Sequence, residues 1–407
     1  MPAMTVRTDA WGARAASVCL LVLLLGQEIA FGQNPPSELV LRGQEEIYHL
    51  RYARAREIFE EARARFPNSP VGYGMLSILA WNELLFESSN FALDDYSTPS
   101  PFVKKRTRKP IEGALMRFKE ANEALRIKCE EILERNPDDP STLYFQGLVY
   151  ENLAAEAIVI SKKDRPAFSY GKRARQIHER VIKLDRNLVD AQISLAAHDF
   201  AAPNLPWKFR LLAFLLGMGG DEKRAFQRLR LVVDTGQYRR YDALLLLGLM
   251  KAWKGKREYS VEAAEVFEGL RRKFPDNFLL DLNLAAIYEK DNPKAALQIY
   301  QDLERNLASK APGLKPGEVS FRIGRSHYRL RNYNLALQSF EKALAQSRRE
   351  KETAPLCHYY RGLIHQVQGD RSRAIECFRS ALEGAFLDTI ERELGDAERR
   401  LRKLQGS

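Results

Sequence analysis

The chain has 407 residues, with an apolar fraction of 45% and a charged fraction of 29%. These fractions are typical of a folded soluble protein and exclude a largely disordered chain. The formal net charge of +11 suits an anionic partner, nucleic acid included.

The first residues have the pattern of an export signal. Two arginines precede a short apolar core at 15–26, and small residues at 30–32 precede a cleavage point at Gln33. The apolar run is shorter than the ~20 residues that span a bilayer, which favours a cleaved signal peptide over 1–32, with an uncleaved anchor as the alternative. The sequence therefore predicts a periplasmic or secreted protein. In that location the basic protein would meet anionic lipids, envelope polymers and acidic proteins before nucleic acid. The predicted location therefore argues against nucleic acid as the partner.

An internal repeat organises the rest of the chain. When 323–344 is aligned with 361–382, four pairs of residues coincide: Gly324 with Gly362, Ala336 with Ala374, Phe340 with Phe378, and Ala343 with Ala381. Small residues let two antiparallel helices approach closely, and an aromatic ring fills the space beside them. One such unit leaves an apolar face exposed, so neighbouring units must stack. We therefore expect Phe340 and Phe378 to be buried core residues.

This spacing resembles the tetratricopeptide repeat, whose period is about 34 residues. The same pattern recurs at 36–69, 206–239, 241–277 and 278–310, and in two interrupted units that begin at Pro70 and Pro140. The resemblance implies an all-α fold, a right-handed α-solenoid of stacked antiparallel helix pairs closed by a C-terminal capping helix. No segment alternates apolar and polar residues, so strands are not expected.

The predicted organisation follows the chain in five segments. A signal peptide (1–32) precedes N-terminal units with two insertions (33–188, the longer insertion at about 86–110). An irregular helix and linker (189–205) then lead to C-terminal units (206–388) and a capping helix with tail (389–407). The helix within 189–201 pairs with no other helix in this register, and its partner is left open.

A narrower resemblance concerns 202–229. This segment is similar to one found in exported bacterial tetratricopeptide proteins of unassigned activity, and to part of the eukaryotic tetratricopeptide family linked to inclusion-body clearance. Neither resemblance implies a catalytic activity.

The segment 357–382 combines two cysteines and two histidines, which raises the question of a metal or redox site. Their spacing is wider than in zinc motifs, and the repeat places His365 against the paired helix, so we expect no metal and no cofactor. A Cys357–Cys377 disulfide remains possible in an oxidising compartment. The chain also lacks a P-loop and the usual nucleophile motifs, and we predict that it is not an enzyme.

The resemblance implies partner binding on the concave face, which the first helix of each unit lines. Aromatic and arginine side chains at the groove positions are the residue types that dominate binding interfaces. The predicted partner-binding residues are Trp253, Arg325, Tyr328, Arg329, Tyr359 and Gln366. We therefore predict a non-catalytic scaffold or adaptor of the cell envelope that binds a protein or peptide.

A second prediction concerns the longer insertion, which carries a basic loop. Its charged residues are Lys104, Lys105, Arg106, Arg108 and Lys109. They are either a solvated surface loop or an electrostatic contact for an anionic partner. The second possibility favours an alternative function as a binding module for a lipid, a solute or an anionic envelope polymer.

Some members of the family bind a terminal carboxylate through lysine and asparagine one turn apart on a first helix. The matching places in this chain hold other residues: Val40 and Gln44, Tyr144 and Leu148, Phe321 and Arg325. This departure argues against binding of that kind.

Overall fold

The computed structural model describes most of the chain after the N-terminal segment. The described residues are 37–88, 111–204, 219–310, 314–347, 353–383 and 391–406. Within them every regular element is a helix, which confirms the all-α prediction. The predicted signal peptide and the basic residues 104–109 lie outside the described residues.

Within the described residues, the N-terminal half forms four helix pairs. Their helices are α1 (Ser37–Tyr48), α2 (Tyr52–Arg65), α3 (Val71–Glu87), α4 (Glu112–Arg135), α5 (Pro140–Val159), α6 (Asp164–Leu184), α7 (Gln192–Asn204) and α8 (Glu222–Thr235). A short 3₁₀ helix, Val189–Ala191, precedes α7.

The C-terminal half continues the same arrangement. Its helices are α9 (Arg240–Lys254), α10 (Arg257–Lys273), α11 (Phe278–Asp291), α12 (Pro293–Arg305), α13 (Pro316–Arg329), α14 (Tyr333–Gln346), α15 (Thr353–Val367), α16 (Arg371–Glu383) and α17 (Glu391–Gly406), with one extra turn at Leu307–Lys310. Each odd-numbered helix up to α15 packs against the helix that follows it, and each pair contacts the next pair. The result is an α-solenoid, as predicted.

The repeat positions account for the packing within a pair. Phe340 and Phe378 have no exposed surface, which confirms their predicted place in the core. A Cβ atom added to Gly324 would lie 2.6 Å from the ring of Phe340, and one added to Gly362 would lie 2.7 Å from the ring of Phe378. Only glycine leaves room for the ring there, so each glycine–phenylalanine pair fixes how closely two helices approach.

The helix that the sequence left without a partner is α7, and it pairs with α8. Ile193 and Ala196 share an apolar cluster with Phe226 and Leu229. A buried carboxylate reinforces the pair, because Asp199 accepts hydrogen bonds from Arg224 at 2.6 Å and from Arg228 at 2.9 Å. Burial raises the pKa of Asp199, but the two arginines outweigh it and hold that pKa below its usual value. Residues 206–218, where the repeat unit at 206–239 predicts a first helix, lie outside the described residues.

The solenoid winds tightly enough for its first unit to contact its fifth. The Tyr48 hydroxyl donates to Asp242 at 2.9 Å, and the Asn277 side chain donates to the Tyr48 carbonyl at 2.8 Å. The rings of Tyr48, Tyr241 and Phe274 pack with centroids 5.1–5.3 Å apart. One continuous apolar core therefore includes residues of both units.

Candidate partner-binding surface

The C-terminal units carry a polar cluster built around one buried carboxylate. Glu289, on α11, is 4% exposed. It accepts hydrogen bonds from the Tyr300 hydroxyl at 2.9 Å and from the Arg325 guanidinium at 2.7 Å. Arg329, one turn further along α13, lies with Nε 3.8 Å from the second carboxylate oxygen. Because a buried charge must be paired, Glu289 on α11 holds both arginines of α13, the first helix of the next unit.

Tyrosine rings continue the surface from α13 to α15. The ring of Tyr328 lies 5.3 Å from that of Tyr360, which in turn lies 5.2 Å from that of Tyr359. Burial raises the pKa of Tyr328 and of Tyr360, so both hydroxyls stay neutral at physiological pH. Arg325, Tyr328, Arg329 and Tyr359, four of the predicted binding residues, therefore belong to one arginine–tyrosine cluster.

Two of the predicted residues are contacted by the capping helix. The Tyr359 hydroxyl donates to Asp396 at 2.9 Å, and Arg400 donates to Gln366 at 2.8 Å. Arg400 also donates to Asp396 at 2.6 Å. Burial raises the pKa of Tyr359. Helix α17 therefore forms hydrogen bonds with Tyr359 and Gln366. It packs there in the place that the first helix of a further unit would take.

Trp253 stands apart from this cluster. It lies on α9, where its ring packs 5.6 Å from that of Phe200, and the Lys254 ammonium lies 5.9 Å from the Trp253 ring centroid. Lys254 pairs with Glu222 at 2.6 Å. The structure therefore does not bring Trp253 together with the other predicted residues.

On the first helices of the N-terminal units, the groove positions are buried within the protein. Val40, Tyr144 and Leu148 are at most 1% exposed. The ring of Tyr238, from the turn before α9, stacks on that of Tyr144 at 5.4 Å, and Arg239 donates to Glu151 of α5 at 2.7 Å. The chain itself covers the faces of α1 and α5 that a groove ligand would need.

The segment 357–382 packs as a repeat unit. Cys357 and Cys377 are buried thiols and are not joined to each other. Burial raises the pKa of Cys357 to about 12, which suppresses the thiolate that metal binding and redox exchange require. His365 is 6% exposed, and burial lowers its pKa. In the described part of the chain, no three histidine, cysteine or carboxylate side chains are grouped as a metal site would need.

Sequence reasoning missed Glu289, Asp396 and Arg400. Glu289 is a charged residue on a helix that is otherwise largely buried. A charged residue among buried positions is the feature that could have indicated this site. The partners of Glu289 come from other helices, so their identity depends on the packing of units.

Comparison with known proteins agrees with this geometry. A sequence profile described as tetratricopeptide repeat matches residues 321–386, which include α14, α15 and α16 with their glycine–phenylalanine pairs. Residues 321–386 therefore match the tetratricopeptide repeat family. The match does not include residues 202–229, and it does not bear on export.

Solved tetratricopeptide structures resemble the protein at low sequence identity. Yeast Tom70 is 13% identical, with a TM-score of 0.40, over 91% of this chain and 82% of its own. A tetratricopeptide repeat protein from Parabacteroides merdae is 15% identical, with a TM-score of 0.39, over 78% of this chain and 99% of its own. Proteins of this fold generally act as non-catalytic interaction scaffolds.

Proposed function

We propose that this tetratricopeptide repeat protein is a non-catalytic scaffold of the cell envelope. Its protein or peptide partner would lie along the first helices of the C-terminal units, α11, α13 and α15. The observation that carries this proposal is the contrast between the two halves. Arg329 has 39% of its side chain exposed beside the tyrosine cluster, whereas Tyr48 and Asn152, at the matching place in two N-terminal units, are 6% and 4% exposed.

The chemistry of the cluster favours a partner with a carboxylate or another acidic group. A guanidinium has five donors, and Glu289, at 3.8 Å, is the carboxylate near Arg329 among the described residues. Tyrosine rings beside it supply contact area at little cost in side-chain entropy. The helices that hold both are packed on their neighbours, so the surface is preorganised for binding.

Arg329→Ala and Tyr328→Ala are each expected to speed dissociation of a partner captured by pull-down, with a loss of ~1–3 kcal/mol in binding free energy. Arg329 is a cleaner probe than Arg325, because removal of Arg325 would leave the buried Glu289 short of its closest cation. Dissociation rates from surface plasmon resonance would test this.

Arg379→Ala provides the matched control. Arg379 is an exposed arginine on α16, the second helix of its unit, and its replacement should leave the dissociation rate unchanged. If Arg329→Ala and Tyr328→Ala both dissociate at the wild-type rate, the partner does not bind along the first helices.

We also propose that the protein is exported and cleaved before Gln33. The support is the charge and apolar pattern of residues 1–32. Among the described helices, none has the length and hydropathy that a membrane crossing requires. N-terminal sequencing of protein from the producing cells should find Gln33 at or near the start, in periplasm or medium. Met1 or Pro2 on a membrane-bound protein would contradict export with cleavage.

A further inference from the structure

The second and third units contain the longest helices that the structure describes. Helices α4, α5 and α6 contain 24, 20 and 21 residues, whereas α13 and α14 contain 14 each. The added turns form two helical hairpins. Ile160, at the end of α5, shares an apolar cluster with Leu84, Ala114 and Phe118 of α3 and α4. The two hairpin ends therefore lie side by side, and we call them the hairpin tips.

Large apolar side chains are exposed at these tips. Ile111 is 50% exposed, Met116 54% and Phe168 47%. Burial in the protein would stabilise each of them, and singly exposed apolar residues are common on protein surfaces. Their position at the ends of projecting hairpins makes them accessible to a surface that the hairpins approach.

Basic residues surround Phe168. Arg165, Phe168 and Lys172 follow a spacing of three and four residues, which places them on one face of α6. Lys163, Arg165 and Lys172 are exposed, and no ion pair joins them to a carboxylate among the described residues. Lys163 and Arg165 also flank the first turn of α6, where the helix dipole disfavours positive charge. Helix stability therefore does not account for them.

We propose that the hairpin tips dock on an anionic lipid surface, with Phe168 entering the headgroup region and Lys163, Arg165 and Lys172 contacting lipid phosphates. Basic residues next to an exposed aromatic side chain are the composition of proteins that bind at membrane interfaces. The chain outside the described residues supports this occupant. Segment 89–110 joins Ser88 to Ile111 at the same tip, and its sequence has five basic residues against two aspartates.

The exposed apolar side chains favour a membrane over an acidic protein, because an acidic protein would need only the basic residues. Phe168 is 47% exposed on the same helix face as Arg165 and Lys172. This surface is separate from the arginine–tyrosine cluster on α13 and α15, so lipid docking and partner binding are independent proposals.

Co-sedimentation with vesicles tests the proposal. The purified protein should bind vesicles of phosphatidylcholine mixed with phosphatidylglycerol, and bind vesicles of phosphatidylcholine alone far more weakly. Each basic residue near an anionic surface contributes a factor of about 5 in partitioning, so the triple variant Lys163→Gln, Arg165→Gln, Lys172→Gln should bind ~100-fold more weakly. Phe168→Ser should also weaken binding, and its effect should persist in high salt because it is not electrostatic.

Lys183→Gln is the matched control. Lys183 is an exposed lysine on the same helix, about 16 Å along the axis from Lys172, and its loss should change binding by no more than about 5-fold. Equal binding to neutral and anionic vesicles would overturn the proposal, as would a triple variant that binds like Lys183→Gln. Binding to soluble polyglutamate without binding to anionic vesicles would overturn it in favour of an acidic macromolecule.

Discussion

Phe340→Ala is expected to lower the free energy of unfolding by ~3–5 kcal/mol, the range for truncating a fully buried phenylalanine. The ring of Phe340 has no exposed surface and packs 5.9 Å from Phe321 and 5.8 Å from Tyr360. Its removal leaves a cavity between two units, because Gly324 has no side chain that could fill the space. Urea denaturation followed by circular dichroism would measure the loss.

Leu335→Ala is the control for that measurement. Leu335 lies on the same helix, α14, and is 47% exposed, so its truncation should cost less than about 1 kcal/mol. Similar losses for Phe340→Ala and Leu335→Ala would show that the glycine–phenylalanine pair is not a core contact.

Asp190→Ala is expected to destabilise the protein by a similar ~3–5 kcal/mol, since each unsatisfied buried donor costs ~1–3 kcal/mol. The Asp190 side chain is buried and accepts hydrogen bonds from the backbone N–H groups of Gln237 at 2.8 Å, Tyr238 at 3.0 Å and Arg239 at 2.8 Å. It fixes the turn that places Tyr238 and Arg239 against α5. Burial raises the pKa of Asp190, and the three N–H donors oppose that rise.

Hydrogen exchange gives Asp190→Ala a local readout. The amides of Gln237, Tyr238 and Arg239 should lose protection in the variant, while Asp234→Ala, at an exposed position just before the turn, should leave them protected. If the three amides stay as protected in Asp190→Ala as in the wild type, this carboxylate does not hold the turn.

The sequence alone determined the repeat unit and the fold class. Gly324 with Phe340 and Gly362 with Phe378 recur at the same spacing because two adjacent helices need a small residue opposite an aromatic ring. That requirement is local, and the sequence repeats the same residue pattern in several units. The same logic placed His365 of 357–382 against the paired helix, where it is 6% exposed.

Only the tertiary structure decided how far the solenoid curls and which faces remain open. The Tyr48–Asp242 hydrogen bond joins residues 194 positions apart, and Glu289 joins Tyr300 and Arg325 across two units. Such contacts depend on the sum of small rotations from one unit to the next, together with the long helices α3 to α6. No local pattern encodes that sum, so burial of the N-terminal groove positions by the chain itself could not be predicted from the repeats.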